Sequence, residues 1–213
     1  MIINRGGKNE QRLYLYDLKI DHEDDTAIIK KSDFPNMEDL IARHKSRYML
    51  PAMFCRPKMM VLDFPCGSGY GAKLLNEFGV YYEGLDFDDV TIEYARTYYG
   101  NERTRFDVGN LCKPNLKFNR YDIIACIEGI EHIGKEYQVN LILAFFNALK
   151  EDGIFTITMP EGKTNNPYHV GEMTGKEFLD LLSTVFIDIQ AIEHYDKDHN
   201  GNENVWYYGV CRK

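Results

Sequence analysis

The sequence predicts an α/β fold in which a mostly parallel sheet of seven strands carries helices on both faces. Three observations support this prediction. From residue 59 onward, short apolar segments alternate with helical patterns, as in a parallel sheet. Tyr121–Ile127 is almost entirely apolar, as expected of a strand buried on both faces. The last two predicted strands have no helix between them, so we expect an antiparallel C-terminal hairpin at the sheet edge.

The chain is predicted to divide into an N-terminal extension with a cap helix, residues 1–58, and a main domain, residues 59–213. Apolar residues recur at helical spacing over Met37–Phe54, and Pro51 is expected to kink or end this cap helix. The part ahead of the helix is polar and irregular, apart from a short strand predicted at Leu13–Tyr16. We expect the cap helix to lie over the mouth of the main domain.

The main domain is predicted to alternate strands with helices, and most of the helices have recognisable end signals. The predicted strands are Met59–Phe64, Tyr81–Phe87, Thr104–Val108, Tyr121–Ile127, Ile154–Met159, Phe186–Glu193 and Val205–Cys211. The predicted helices are Tyr70–Phe78, Val90–Tyr99, Lys135–Lys150 and Thr174–Val185. Gly79, Gly100 and Gly153 are C-terminal signals, and Thr174 with Glu177 has the spacing of a capping box.

Composition limits the class of protein. A chain of 213 residues fits one domain with an appendage, and its net charge of -8 argues against a nucleic-acid partner. The five cysteines are odd in number and lack metal-ligand spacing, which is typical of reduced thiols in the cytoplasm. The N-terminus lacks a signal peptide, and no apolar run reaches the ~20 residues that span a bilayer. We therefore expect a soluble, cytoplasmic protein without membrane contact.

The turn after the first main-domain strand carries three alternating glycines, Gly67, Gly69 and Gly71, followed at once by helix-forming residues. Glycine allows positive φ and close approach to the backbone, and N–H groups at a helix start favour electron-rich ligand atoms. Asp86 ends the second predicted strand, where a carboxylate would bind ribose hydroxyls. These features predict a nucleotide-containing cofactor. The spacing also fits the GxGxxA dinucleotide fingerprint, so NAD and S-adenosylmethionine both remain open at this point.

Other features favour S-adenosylmethionine. Asp63, just before the glycine turn, would repel a pyrophosphate but suits an ammonium group. The glycine turn lies mid-chain, behind the cap helix, and the fourth main-domain strand runs directly into EGIEH, residues 128–132. Together with VLDFPCGSGYGAKLL, YYEGLDFDDVTIEYAR, FDVGNL and LKEDGIFTITMP in this order, the chain from about Met37 onward resembles a class I S-adenosylmethionine-dependent methyltransferase, whose fold is Rossmann-like.

The resemblance implies a set of residues around S-adenosyl-L-methionine. These are Asp63, Gly67, Gly69, Asp86, Phe87, Asn110, Leu111, Ile127 and Glu128. Asp63 and the glycines would line the methionine and ribose, Asp86 would bind the ribose hydroxyls, and Phe87 would pack on adenine. Asn110 stands where the family commonly has aspartate, so its contact with the adenine amino group would have less electrostatic help. Ile127 and Glu128 would approach the methionine amine.

The resemblance also implies catalytic and metal-binding candidates. His132, His169 and Glu131 are candidate catalytic residues. The two histidines are the candidate bases, since histidine titrates near neutrality. Metal-dependent O-methyltransferases that resemble this chain, including ubiquinone-pathway and small-RNA 3′-end enzymes, use an ExxEH-plus-His set. In this chain the set is Glu128, Glu131, His132 and His169, the first three on one face if a helix begins there. A divalent metal ion and a purely structural role for Glu131 and His132 both remain open.

Acceptor selection is expected to come from the cap helix and from the stretch Pro160–Met173. The residues proposed for this role are Arg43, His44, Arg47, Tyr48 and Tyr168. The sequence thus predicts methyl transfer to a small-molecule acceptor, with a hydroxyl oxygen favoured and nucleic acid disfavoured. The alternatives are a nicotinamide-dependent oxidoreductase and a non-catalytic module that binds S-adenosylmethionine.

Overall fold

The structure is a computed structural model that describes residues 2–4, 11–13, 28–29, 37–164, 166–197 and 203–213. The first three strands, β1 (Ile2–Asn4), β2 (Gln11–Leu13) and β3 (Ile28–Ile29), pair antiparallel in the order β2-β1-β3. The sequence predicted an irregular segment here, because strands of two or three residues are too short to show a periodicity. The strand predicted at Leu13–Tyr16 shares only Leu13 with β2, and residues 14–16 lie outside the described residues.

The cap consists of two helices, α1 (Met37–Arg47) and α2 (Met49–Ala52), so the prediction of one helix from Met37 to Phe54 is wrong. The break falls at Tyr48, whose N–H bonds the Lys45 carbonyl at 3.1 Å in a tightened turn. Pro51 explains the position of the break. Proline has no N–H to donate to the carbonyl four residues earlier, that of Arg47, so the helical ladder is interrupted one turn ahead of the ring.

The remaining strands form one seven-stranded sheet. They are β4 (Met60–Asp63), β5 (Tyr81–Asp86), β6 (Thr104–Val108), β7 (Tyr121–Ile127), β8 (Leu149–Pro160), β9 (Asp188–Lys197) and β10 (Glu203–Arg212). Their order is β6-β5-β4-β7-β8-β10-β9. The first five strands in this order are parallel, and β10 runs antiparallel to both β8 and β9. The predicted parallel sheet with an antiparallel hairpin at its edge is confirmed.

Four further helices connect the strands: α3 (Tyr70–Leu75), α4 (Asp89–Tyr99), α5 (Lys135–Ala148) and α6 (Gly175–Ser183). Thr174 and Glu177 form the predicted capping box at α6. The predicted end of the α5 helix at Lys150 is wrong, because Leu149 already pairs with Tyr121 as the first residue of β8. None of the helices in the described ranges combines the length and apolarity needed to cross a bilayer.

Alternate residues of the central strands pack into two separate cores, one on each face of the sheet. Along β7, Ile124 and Cys126 join the core formed with α5 and α6. Ile123 and Ala125 join the core formed with α2, α3 and α4. Strands buried on both faces require helices on both faces, which confirms the predicted layers.

The cap docks on α3 through the ring of Tyr48, which is 3% exposed. The Tyr48 ring lies edge-on to Tyr70, with centroids 5.3 Å apart. A Cβ atom at Gly71 would lie 2.2 Å from Tyr48 Cε1, so only glycine at this position leaves room for the ring. The third glycine of the turn therefore allows the cap to pack closely against α3.

A buried carboxylate fixes the same ring. Tyr48 Oη donates to Asp63 Oδ2 at 2.8 Å, and Tyr82 Oη donates to the same oxygen. Asp63 is fully buried at the end of β4. Burial raises the pKa of Asp63 to about 7, although the two tyrosine hydrogen bonds lower it. The cap is thus tied to β4 and β5 through one acid.

We predict that Gly71→Ala destabilises the protein by about 1–3 kcal/mol, because its methyl group overpacks against the Tyr48 ring. In a Tyr48→Ala background the same substitution should cost less, because the contact with the ring is gone while the contact with Asp63 Oδ2 at 2.8 Å remains. Urea unfolding of the four proteins gives the coupling energy. Equal effects of Gly71→Ala in both backgrounds would contradict this docking contact.

We also predict that the free energy of unfolding depends on pH through Asp63, and that Asp63→Asn removes this dependence. The folded pKa of about 7 lies above the ~3.9 of an unfolded aspartate, so the folded state binds more protons between these values. The free energy of unfolding of the wild type, relative to Asp63→Asn, should therefore be highest below pH ~4 and fall until about pH 7. Urea unfolding over this range measures the difference, and a constant difference would refute the assignment.

Candidate active site

A cavity of about 270 Å³ opens at the carboxyl ends of the parallel strands, the edge where open α/β sheets bind ligands. Its wall is made by the cap and by the segments that follow β4, β5, β6, β7 and β8. The lining residues are His44, Arg47, Tyr48, Pro65, Cys66, Gly67, Ser68, Tyr70, Asp86, Phe87, Leu111, Ile127, Glu128, Glu131, His132, Asn166 and His169. The cavity therefore brings together most of the cofactor residues and all of the catalytic candidates predicted from the sequence.

The glycine turn is joined to the end of β5 by Asp86, which is fully buried. The Gly67 N–H donates to Asp86 Oδ2 at 3.0 Å, and the Asp88 N–H donates to Asp86 Oδ1 at 3.1 Å. Gly67 has φ +52°, a backbone conformation that favours glycine. Asp86 therefore holds the turn in place while lining the cavity itself.

Gly69 lies outside the cavity wall, unlike its predicted place beside the cofactor. It has φ +84° at the start of α3, and a Cβ atom there would lie 2.6 Å from the Ala95 Cβ. The same atom would lie 2.8 Å from the Phe106 ring. The second glycine of the turn thus allows α3 to pack closely against α4 and β6.

Apolar side chains form one wall of the cavity next to Asp86. Phe87 is 49% exposed, whereas Leu111 and Ile127 are buried. Asn110 was predicted to contact the adenine amino group, but it does not line this wall. It is exposed, and its Oδ1 accepts a hydrogen bond from the Cys112 N–H at 2.8 Å. Its amide therefore closes a turn in its own loop, a competing local contact that asparagine commonly makes.

Asp63 also lies away from the cavity wall, although it was predicted to line the methionine portion. Its carboxylate points beneath Gly71, where Tyr48 and Tyr82 bond it. Sequence reasoning missed this placement because the two hydroxyls come from different elements, 15 and 19 residues away along the chain. What Asp63 contributes to the cavity is the position of the cap.

Glu128 has φ +50°, an uncommon conformation for a non-glycine residue, and precedes a short 3₁₀ turn at Ile130–His132. The helix that would have put Glu128, Glu131 and His132 on one face is therefore absent here. The Glu128 carboxylate instead accepts from Thr158 Oγ1 at 2.9 Å and from Trp206 Nε1 at 2.9 Å.

Arg47 of the cap completes the surroundings of Glu128. Its Nε lies 3.6 Å from Glu128 Oε1, and its guanidinium lies over the Trp206 ring, 5.1 Å from the centroid. Burial acts to lower the pKa of Arg47, but the charge of Glu128 and other nearby groups outweigh it and raise this pKa. The pair links the cap to β7 and to the C-terminal hairpin.

Glu131, His132 and His169 converge, with one potential ligand atom of each lying within 4.8 Å of the others. The two imidazole rings are perpendicular, with centroids 4.6 Å apart. Glu131 is 1% exposed, and neither carboxylate oxygen has a hydrogen-bond partner in the described part of the chain. Burial and the charge of Glu128 raise the pKa of Glu131 to about 8, while His132 lowers it. Buried carboxylates are normally hydrogen-bonded, and Glu131 is an exception to this rule.

Gln138 holds the two loops of this cluster together, and sequence reasoning missed it. Its Nε2 donates to the Ile130 carbonyl at 3.1 Å and to the Gly171 carbonyl at 2.8 Å. The Gly171 N–H donates to the Glu131 carbonyl at 2.9 Å. Gln138 lies on the buried face of α5, and a polar residue in an apolar helical stripe was the available signal.

The cap supplies three of its four predicted acceptor-selecting residues to the cavity, His44, Arg47 and Tyr48. Arg43 and Tyr168 lie outside the wall, whereas Tyr70 and Asn166, which the sequence did not single out for this role, belong to it. Burial, together with the charges of Arg47 and Arg43, lowers the pKa of His44 to about 3. His44 therefore presents a neutral ring.

Known proteins with similar sequences point to one family. A family model described as "Methyltransferase domain" matches residues 36–207. A probable S-adenosylmethionine-dependent methyltransferase from Mycolicibacterium smegmatis is 29% identical over 156 residues, 70% of this chain and 59% of that protein. A ubiquinone biosynthesis O-methyltransferase from Rickettsia akari is 28% identical over 123 residues, 57% of this chain and 48% of that protein. The chain thus spans about half the length of these curated relatives.

Solved structures share the fold. Phosphoethanolamine N-methyltransferase 2 from Haemonchus contortus, in complex with S-adenosyl-L-methionine, superposes with a TM-score of 0.66 at 16% identity, covering 79% of this chain and 52% of that one. A putative sarcosine dimethylglycine methyltransferase from Galdieria sulphuraria gives 0.68 at 13% identity, covering 87% and 91%. With the family match over most of its length, the chain belongs to the class I S-adenosylmethionine-dependent methyltransferase family.

Proposed function

We propose that the chain binds S-adenosylmethionine in this cavity and transfers its methyl group to a hydroxyl of a small molecule. The observation that carries the proposal is the convergence of two groups of residues on one cavity. The glycine turn, Asp86 and Phe87 form one side, and the cluster of Glu131, His132 and His169 forms the other. The similarity to an O-methyltransferase of ubiquinone biosynthesis supports an oxygen acceptor.

The cofactor side fits a nucleoside. Asp86 accepts the Gly67 and Asp88 N–H groups and lines the cavity, and a carboxylate is an acceptor of the kind that binds ribose hydroxyls. The half-exposed ring of Phe87 offers a face for adenine, with Leu111 and Ile127 as apolar neighbours. The cofactor contacts proposed here are therefore those of Gly67, Asp86, Phe87, Leu111 and Ile127, with Glu128 beside the methionine amine.

The acceptor side suits deprotonation of a hydroxyl. A bound S-adenosylmethionine supplies an activated methyl group, so the protein must exclude water, align the acceptor oxygen and remove its proton. His132 and His169 are the proposed bases, since neutral imidazole accepts a proton near physiological pH. The cap residues His44 and Arg47, with Asn166, are placed to contact the acceptor.

In a second form of the proposal, Glu131, His132 and His169 bind a divalent cation, and the two histidines then act as ligands instead of bases. The buried, unsatisfied carboxylate of Glu131 fits this role, and mixed oxygen and nitrogen donors suit manganese, iron or zinc as well as magnesium. Such an ion would lower the pKa of a substrate hydroxyl. The Glu128 carboxylate is engaged by Arg47, Thr158 and Trp206, so we propose three protein ligands where the sequence predicted four.

The domain boundary after residue 58, the cytoplasmic location and the preference for a small molecule over nucleic acid stay predictions from the sequence. A chain that binds S-adenosylmethionine without methylating any acceptor would instead be a binding module. Labelled methyl transfer to a panel of phenols, catechols and sugars separates these two functions.

We predict that the wild type binds S-adenosylhomocysteine and not NAD(H), and that Asp86→Asn weakens this binding tenfold or more. The reason is the loss of charge-assisted hydrogen bonds to the ribose. Trp206, the single tryptophan, lies against Glu128 and provides a fluorescence signal, with calorimetry as a second measurement. Asp89→Asn removes the same charge from an exposed site on α4 and should bind as the wild type. Binding of NAD(H) but not S-adenosylhomocysteine would overturn the proposed function.

We predict that EDTA-treated protein binds Mn²⁺ and that Glu131→Gln abolishes this binding, because the neutral amide is a poor ligand for a divalent cation. Mn²⁺ titration followed by electron paramagnetic resonance measures it. Glu136→Gln, an exposed position at the start of α5, is the matched control. Equal Mn²⁺ binding by Glu131→Gln and the wild type, or full activity after chelation, would refute the metal site.

A further inference from the structure

We propose that Thr164 and Glu172 are positioning residues that hold neutral His169 in one tautomer, with the proton on Nδ1 and the lone pair on Nε2. Both residues come from the loop that follows β8, the same loop that carries His169. The proposed function uses His169 as a base or a metal ligand. In both roles the ring must present a nitrogen lone pair, and these two neighbours decide which nitrogen carries it.

The three side chains form a chain of short contacts. Thr164 Oγ1 lies 2.7 Å from His169 Nδ1 and 2.7 Å from Glu172 Oε1. Glu172 Oε1 also accepts the Thr164 backbone N–H and lies 3.7 Å from His169 Nδ1. The His169 and Glu172 side chains are only 12% and 15% exposed, so the contacts are largely shielded from water.

The hydroxyl of Thr164 has a single proton, and this fixes the tautomer. An ionised Glu172 can only accept, so the Thr164 proton points to Glu172 Oε1. Thr164 Oγ1 must then accept from His169, which requires a proton on Nδ1. The opposite tautomer would place the Nδ1 lone pair against an oxygen lone pair at 2.7 Å.

The backbone around these groups holds the arrangement in place. The Asn166 N–H donates to Thr164 Oγ1 at 3.3 Å, and the His169 N–H donates to the Asn166 carbonyl at 3.1 Å. Gly171, next to Glu172, is fixed on both sides, through its N–H by Glu131 and through its carbonyl by Gln138. The acid, the hydroxyl and the imidazole are therefore positioned together with the Glu131 turn.

The consequence for chemistry rests on the proposed function. With the proton on Nδ1, Nε2 is the atom of His169 that accepts the proton of an acceptor hydroxyl or binds a cation. When Nε2 takes up a proton, the ring becomes positively charged, and the nearby Glu172 carboxylate stabilises that charge through Thr164. Outer partners of this type commonly fix the tautomer of a functional histidine.

Nuclear magnetic resonance of ¹⁵N-histidine-labelled, EDTA-treated protein tests the proposal, because long-range proton–nitrogen correlations distinguish the protonated ring nitrogen from the lone-pair nitrogen. His169→Gln assigns the signals. Above neutral pH we expect the wild type and Thr164→Ser to carry the proton on Nδ1. Thr164→Val, which cannot accept, should lower the ratio of Nδ1–H to Nε2–H tautomer about tenfold, the worth of one good hydrogen bond.

Glu172→Leu is a second variant, needed if Thr164→Val fails to fold. It removes the oxygen that accepts the Thr164 hydroxyl proton, so this proton can point toward Nδ1 and shift the ring toward the Nε2–H tautomer. A wild-type ring protonated on Nε2, or folded Thr164→Val and Glu172→Leu proteins with the wild-type tautomer ratio, would overturn the proposal.

Binding and activity distinguish this inference from the proposed function. Thr164→Val should bind S-adenosylhomocysteine as the wild type does, lower kcat for an identified acceptor, and be rescued by Thr164→Ser. Absence of S-adenosylhomocysteine binding in the wild type defeats the proposed function but leaves the tautomer result standing. A wrong tautomer with intact binding and methyl transfer defeats only the inference.

Discussion

The shared hydrogen bonds of the Asp63 carboxylate are the interaction on which the cavity depends. They tie the Tyr48 hydroxyl of the cap to the sheet, and the missing side chain at Gly71 leaves room for the ring. From that anchored cap, Arg47 reaches Glu128 at the end of β7. One buried acid thus helps to place cavity residues that are far apart in the chain. Its raised pKa reflects the free-energy cost of burying a charged carboxylate.

Three acidic residues of the described chain line the cavity, and they differ in their hydrogen-bond partners. Backbone N–H groups satisfy Asp86, and Arg47, Thr158 and Trp206 satisfy Glu128. Within the described chain, Glu131 is left without a hydrogen bond although it is buried. A buried carboxylate without a hydrogen bond carries a desolvation cost that no contact within the protein offsets. This contrast is the reason that Glu131, and not Asp86 or Glu128, is proposed as a cation ligand.

The sequence determined the layered fold and the sheet edge at which the cavity lies, because both depend on local patterns. Strand β7 and strand β6 were predicted with the bounds that the structure shows, since apolar runs and alternation are read directly from neighbouring residues. The glycine turn, Asp86 and EGIEH lie at the carboxyl ends of parallel strands, so fold topology alone brought them to one edge. The break of the cap helix also has a local cause, Pro51. The prediction put this break at Pro51 itself, later in the chain than the observed break.

Only the tertiary structure decided which partner each side chain takes. Asp63 accepts hydrogen bonds from Tyr48 and Tyr82. Asn110 accepts one within its own loop, and Glu128 accepts one from Trp206, 78 residues away along the chain. The contacts of Gln138 with the loops that carry Glu131 and His169 likewise join separate elements. A residue type and its spacing define which hydrogen bonds are chemically available. The choice among them depends on which groups folding brings within about 3 Å, and that information is spread over the whole chain.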